Sequence, residues 1–254
     1  MSEKVKQIVT LVVTFAGILA PSFGAFTPGG SSTGEVSGQY FRDVLIVPAD
    51  YAFAIWAPIY LGFLLFAVVQ ALPAQRDNPR FAATRLWLAG TALLNAAWIA
   101  IFDNLLFGLS AVVIVLMLVV ALVMHRTMGI GRVKVYGVER FVRFPFSLYA
   151  GWLTVATIVN VAGVLAVSGW DGFGLPYPVW GVVMLLVAAA IVLTTRFRWR
   201  DPVYGGVLVW ACVGIVVARS DVPLVAVTAG VIALVVAATL VPWRQFGRAE
   251  AVPA

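Results

Sequence analysis

The sequence consists largely of apolar runs of about 20 residues, separated by short segments that hold nearly all of its arginines. A helix of that length crosses the roughly 30 Å hydrocarbon core of a bilayer at about 1.5 Å per residue. Only 11% of the residues are charged, which is too few to cover the surface of a soluble domain of 254 residues. Alternating ten-residue segments, typical of membrane β-barrels, do not appear. The sequence therefore predicts an all-α integral membrane protein.

We interpret eight of the apolar runs as transmembrane helices joined by mostly short loops. A tight turn at Asp103-Asn104 separates the third span from the fourth, and Pro223 suits the first turn of the last helix. The predicted spans are residues 5–26, 51–72, 84–102, 105–125, 141–167, 176–195, 202–218 and 223–241.

The distribution of basic residues gives this prediction an orientation. With eight spans both termini lie on one side, and that side collects 15 of the 17 lysines and arginines, leaving only Arg42 and Arg219 on the other. Such a bias marks the cytoplasmic side. We therefore expect a multi-pass protein of the cell (inner) membrane, with both termini cytoplasmic and membrane lipids as its surroundings. The basic residues lie in short clusters between spans, so the pI of about 9.8 does not indicate a nucleic-acid partner.

One long loop, residues 27–50, follows the first span on the non-cytoplasmic side. Its first part is rich in Gly and Ser and is predicted to be flexible. Its second part, Gln39 to Val47, has enough apolar residues to pack against the helices. A loop of this length is either functional or a passive linker, and the sequence leaves both a lid and a linker open.

Residues for catalysis or metal binding are scarce. His125 is the single histidine, predicted to meet the membrane interface at the cytoplasmic end of the fourth span, and Cys212 is the single cysteine. Transition-metal sites need several such ligands. No lysine lies inside a span to carry a retinal, and no acidic residue lies deep in one, as ion-coupled pumps require. We predict no catalytic or metal-binding residues, and enzymatic activity is the least expected function unless light and a bound ligand supply the chemistry.

Aromatic and amide side chains inside three spans are the candidates for ligand binding. In each span they share one helical face. Two other interpretations stay open, because Trp and Tyr form interfacial belts and buried Asn holds helices together. Tyr51 and Phe53 are predicted to lie at the membrane boundary. The candidate ligand-binding residues are Trp56, Tyr60, Asn95, Trp98, Tyr149, Trp152 and Asn160.

Three motifs in order resemble the TspO/MBR family, the tryptophan-rich sensory or translocator proteins. They are VPADYAFAIWAPIYLG at 47–62, LNAAWIAIF at 94–102 and FPFSLYAGWLTVATIVN at 144–160. The family has five spans with a long loop after the first, so the resemblance implies a five-helix bundle over residues 1–167. It leaves three additional helices in 168–243 and a short cytoplasmic tail in 244–254. The chain departs from the family in its loop, which lacks paired prolines and extra tryptophans.

The resemblance implies a pocket for a flat hydrophobic ligand, above all a porphyrin, between the second, third and fifth spans. No residue other than tyrosine is an obvious iron ligand, so a metal-free tetrapyrrole suits the pocket better than haem. The leading hypothesis is a small-molecule binding or sensory protein. The alternatives are a transporter for a hydrophobic molecule, gated by the three extra spans, and a structural subunit without a ligand. Gly205 and Gly206 also permit a close helix contact, and with it a homodimer.

Overall fold

The computed structural model describes residues 1–25 and 33–240, and this part of the chain is helical throughout. Short turns and 3-10 segments at Asp50–Ile55, Pro73–Gln75 and Gly172–Gly174 connect its α-helices. The α-helices of the described residues are α1 (Glu3–Ala25), α2 (Thr33–Tyr40), α3 (Trp56–Ala71), α4 (Pro79–Asp103), α5 (Phe107–Thr127), α6 (Val138–Val167), α7 (Tyr177–Trp199), α8 (Pro202–Ala218) and α9 (Pro223–Leu240).

Six helical segments of the described chain are long and apolar enough to cross a bilayer. Five of them are α4, α5, α6, α7 and α9, and the sixth joins the 3-10 segment Asp50–Ile55 to α3. The apolar helix α8 has 17 residues, and α1 is not among the six. The prediction of an all-helical, multi-pass membrane protein is confirmed, whereas length and composition do not by themselves establish all eight predicted crossings.

Two helices start at capping residues, which accept hydrogen bonds from the free backbone N–H groups of the first turn. The side-chain oxygen of Asn78 accepts from the N–H groups of Arg80 and Phe81, and Pro79 occupies the first helical position. As a result, α4 begins at Pro79 rather than at the predicted residue 84. Asp201 caps α8 in the same way, by accepting from the backbone N–H of Val203 at 3.0 Å.

The long helices pack in two groups that meet at α6. The first group consists of α1, α3, α4, α5 and α6, and in the second α7, α8 and α9 pack on each other while α7 and α8 also contact α6. Glycines allow the closest approaches: a Cβ at Gly62 of α3 would lie 2.4 Å from the ring of Pro145 in α6, and one at Gly151 of α6 would lie 3.0 Å from the carbonyl oxygen of Tyr204 in α8. Small residues permit such close packing in membranes, where hydrophobic burial between helices contributes little.

The second part of the long loop packs down as predicted. Phe41, Val44, Ile46 and Val47 are all buried. The ring of Phe41 lies against Gly163 of α6, where a Cβ would come within 2.3 Å of it. The loop also reaches the second helix group, because the backbone N–H of Ala49 donates to the carbonyl of Gly214 at 3.1 Å. Residues 27–32 of its Gly/Ser-rich first part, predicted to be flexible, lie outside the described residues, whereas residues 33–38 belong to helix α2.

The structure corrects the prediction that His125 meets the membrane interface. His125 is 2% exposed, and its Nε2 lies 2.8 Å from Oδ2 of Asp201, the cap of α8. Its ring stacks on Trp199 at a centroid distance of 4.5 Å. Burial by itself raises the pKa of Asp201, but hydrogen bonds with His125 and Ser147 outweigh that effect and lower it. The pair joins α5 of the first helix group to α8 of the second.

A second buried polar network ties the amino-terminal helix to its neighbours at the same end of the bundle. Arg85 of α4 is fully buried and donates to Glu3 of α1 at 2.5 Å and to the side chain of Gln70 in α3 at 3.0 Å. Gln7 and Gln70 each donate to the backbone carbonyl of the other. Every charged group here has a partner inside the protein, as burial away from water requires.

Candidate functional site

A cleft lies beneath the packed loop, between α4, α5 and α6 and the segment that leads into α3. We call it the central cleft. It encloses about 400 Å³ of empty space, including the part that opens to the surroundings, and its walls are almost entirely apolar. Its lining residues are Thr33, Ser37, Phe41, Pro48, Phe53, Trp98, Phe102, Ile114, Trp152, Val155, Ala156, Val159 and Asn160.

Two tryptophans in the wall of the central cleft carry buried N–H groups without hydrogen-bond acceptors. Neither the indole nitrogen of Trp98 nor that of Trp152 has a partner in the described part of the chain. Both side chains are buried, at 6% and 2% exposure. An unpaired buried donor costs about 1–3 kcal/mol, so each indole N–H would gain from a ligand that brought an acceptor within its reach.

Neighbouring aromatic rings hold these two tryptophans in place. Trp98 stacks on Phe102 with a centroid distance of 4.9 Å and an interplanar angle of 24°. The ring of Trp152 meets that of Phe53 edge to face at 5.8 Å. Such arrangements contribute about 0.5–1.5 kcal/mol per pair beyond area burial. On one side of the cleft, therefore, two rings are stacked on each other, and on the other side two rings meet edge to face. Packing fixes both pairs.

Asn160 lines the central cleft and also joins two helices. Its side-chain amide exchanges hydrogen bonds of 3.3 Å with the hydroxyl of Ser110 in α5. Asn160 therefore joins α5 to α6, and its place in the wall is compatible with the ligand contact that the sequence also left open.

The other four predicted residues form a separate aromatic cluster beside the cleft. Trp56 and Tyr60 stack at 5.1 Å with an interplanar angle of 26°, and both are half-buried. Asn95 donates to the hydroxyl of the fully buried Tyr149 at 2.8 Å. Trp152 links this cluster to the cleft through an edge-to-face contact with Trp56 at 6.3 Å.

The structure thus divides the predicted site. Trp98, Trp152 and Asn160 line the central cleft, whereas Trp56, Tyr60, Asn95 and Tyr149 do not. Those four fill the space between α3, α4 and α6 with their own contacts. Asn95 keeps one unpaired atom, because its side-chain oxygen is buried without a donor in the described chain.

Sequence reasoning missed several wall residues that come from the loop and its junction with α3. Phe53 lies in the cleft wall against Trp152, a contact that the sequence did not predict. The residues Asp50–Ile55 form a 3-10 turn, which advances by about 120° per residue instead of 100° and so moves Phe53 to the inner face. Phe41 and Pro48 are also in the wall, and the apolar content of the loop was the available signal.

A bound metal has no obvious place here. Within the described residues, no group of three or more His, Cys, Asp or Glu side chains is arranged to hold a metal ion. The central cleft instead offers aromatic faces, two free indole donors and a small number of polar side chains, a combination suited to a flat organic molecule with an acceptor at its edge.

A protein-family model described as TSPO-like protein matches residues 5–242 of the chain. The match extends over both helix groups and includes every residue of the central cleft. No curated protein and no solved structure matches the chain.

The contact between Ser110 and Asn160 allows a test of whether Asn160 joins α5 to α6. If their hydrogen bonds hold α5 to α6, Ser110→Ala and Asn160→Ala should destabilise the protein less together than the sum of their separate effects. The expected coupling energy is about 0.6–2 kcal/mol. It would be measured by equilibrium unfolding in detergent. The control cycle pairs Ser110→Ala with Asn95→Ala. These residues share no hydrogen bond, so their effects should add, whereas full additivity in the first cycle would contradict the helix-joining role.

Proposed function

The chain belongs to the family of TSPO-like proteins, and we propose that it is a small-molecule binding or sensory protein of the membrane. Its ligand would be a flat hydrophobic molecule of the tetrapyrrole class, held in the central cleft. The observation that carries this proposal is the pair of buried, unpaired indole N–H groups of Trp98 and Trp152 in an otherwise apolar wall.

A metal-free porphyrin fits the chemistry of these walls. Its macrocycle is flat and apolar and would stack on the aromatic rings, while carboxylate substituents at its edge would accept from the two indoles. Asn160 adds an amide close to the same wall. A ring of this size would need the cleft to widen, so the segment from Phe41 to Pro48 would act as a lid that moves to admit it.

Tryptophan fluorescence would test the ligand and the site together. We expect a metal-free porphyrin to quench the fluorescence of the purified protein with saturation. Replacing Trp98 and Trp152 by Phe removes both donors and part of the stacking surface, so affinity should fall roughly tenfold or more. The matched control is Trp87→Phe, because Trp87 is 44% exposed on α4, does not line the cleft and should leave affinity unchanged. Equal affinity in the double variant and the wild type would exclude the central cleft.

We also propose eight crossings with both termini cytoplasmic, in agreement with the distribution of basic residues. Under this proposal α1 and α8 cross the membrane in addition to the six segments that are long and apolar enough. Close packing supports α8 as a crossing, because it lies against α6 and α9 along its length.

Cysteine labelling in intact cells would test this topology without interference from the native thiol, since Cys212 is fully buried. Ser220→Cys, after α8, should react with a membrane-impermeant maleimide. Ser2→Cys and Arg198→Cys, before α1 and before α8, should react only after permeabilisation. Reaction of Ser220→Cys and Arg198→Cys from the same side would rule out a crossing by α8.

One observation favours a transporter as the second candidate. A smaller cavity lies between α6, α7 and α8. Val155 and Val159 line both this cavity and the central cleft, so the two empty spaces are neighbours between the helix groups. A mobile side chain at these positions would open a passage from one helix group to the other. Proteoliposomes loaded with a fluorescent porphyrin would distinguish the two: a transporter releases it at a rate that Val155→Trp reduces, and a binding protein retains it.

A further inference from the structure

A second cavity lies at the end of the bundle where α6 ends and α7 begins. We call it the aromatic cavity. It holds about 410 Å³ of empty space, including the part that opens to the surroundings. The loop residues Asp43 to Ile46 form one wall, and Trp170, Tyr177 and Trp180 supply the aromatic groups. None of its lining residues lines the central cleft.

The aromatic wall of this cavity is held in one arrangement. The indole N–H of Trp180 donates to the carbonyl of Gly172 at 2.7 Å. Gly172 has a φ of +66°, and a Cβ there would lie 2.7 Å from that indole nitrogen, so only glycine suits the position. Trp170 packs on Trp180 at 4.9 Å, and Phe173 meets Trp170 edge to face at 5.4 Å. The rings are therefore positioned by the turn and not only by the membrane interface.

The charge of the aromatic cavity comes from a carboxylate. Asp43 is the one charged residue among the lining residues, it is exposed, and it has no hydrogen-bond or ion-pair partner within the described chain. Arg219 donates to the backbone carbonyl of Val44 at 3.2 Å and does not line the cavity, and Arg42 does not line it either.

Aromatic faces together with a free carboxylate select an organic cation. A quaternary ammonium group is attracted to the negative face of Trp or Tyr within about 6 Å of the ring centre, and it is weakly hydrated, so it enters an apolar cavity at little cost. A small metal cation would need several oxygen ligands, and the cavity offers one carboxylate. We propose that the aromatic cavity binds a quaternary ammonium or similarly bulky organic cation. This site goes beyond the proposed tetrapyrrole cleft and does not depend on it.

Calorimetric titration of the full-length protein in an uncharged detergent, with benzyltrimethylammonium as the probe, tests the proposal. We expect saturable binding that Asp43→Asn and Trp170→Leu each weaken roughly tenfold or more. The matched control is Asp103→Asn, which removes a carboxylate outside the cavity and should leave binding unchanged. The neutral isostere neopentylbenzene should not displace the probe.

Three results would overturn the proposal: no saturable binding, unchanged affinity in Asp43→Asn, or displacement of the probe by neopentylbenzene. Thermal unfolding of each variant without the probe separates loss of binding from loss of folding. Asp43→Asn removes no contact of the described chain, so this variant should keep its unfolding temperature. If Trp170→Leu lowers that temperature, Trp170→Phe, which retains an aromatic face, should bind more tightly than Trp170→Leu.

The same cation chemistry is present in a lipid headgroup and in a free molecule. Nanodiscs can separate these sources. They would contain a constant fraction of phosphatidylglycerol, with either phosphatidylethanolamine or phosphatidylcholine as the remaining lipid. Weaker probe binding in the phosphatidylcholine discs would identify a choline headgroup as the occupant. Equal binding in both would identify a free cation, and both results support the cavity as a cation site.

Discussion

The hydrocarbon core of a bilayer offers no hydrogen bonds, and the rest of this structure depends on that constraint. Backbone groups are satisfied within helices, and buried charged side chains find partners inside the protein. Arg85 is paired with Glu3 and Gln70, and His125 with Asp201, each where helices meet near one end of the bundle. Glycines at Gly62 and Gly151 then let helices approach closely where hydrophobic burial between them contributes little.

Against this background, unpaired buried polar atoms stand out. The indole donors of Trp98 and Trp152 belong to residues in the wall of the central cleft. Other buried polar atoms of the described chain, such as the hydroxyls of Thr10 and Thr14, are also unpaired but lie outside that wall. Unsatisfied groups of this kind are expected where a site is built for a ligand that supplies the missing partner. The loop that packs over the cleft contacts both helix groups, because the backbone N–H of Ala49 donates to the carbonyl of Gly214 in α8.

Much of the helical arrangement follows from the sequence, because apolar runs of bilayer length and the capping residues Asn78 and Asp201 set where helices form. Side-chain partnerships were not predictable in the same way. His125 and Asp201 are 76 positions apart, and nothing in the local pattern indicates that they meet. The contact of Phe53 with Trp152 was not predicted either, because the two residues are far apart in the sequence and meet only in the folded chain. Shared helical faces predicted seven site residues and the family resemblance implied one pocket between their spans, but only contact geometry separates the three in the cleft from the four in the adjacent cluster.

An experimental structure of the protein with a metal-free porphyrin would test the central claim most directly. The account predicts ligand density in the central cleft, with acceptor atoms within hydrogen-bond distance of the indole nitrogens of Trp98 and Trp152 and the segment from Phe41 to Pro48 displaced or closed over the ring. Porphyrin bound on the lipid-facing surface, or between Trp56 and Tyr60 with the cleft unchanged, would contradict it.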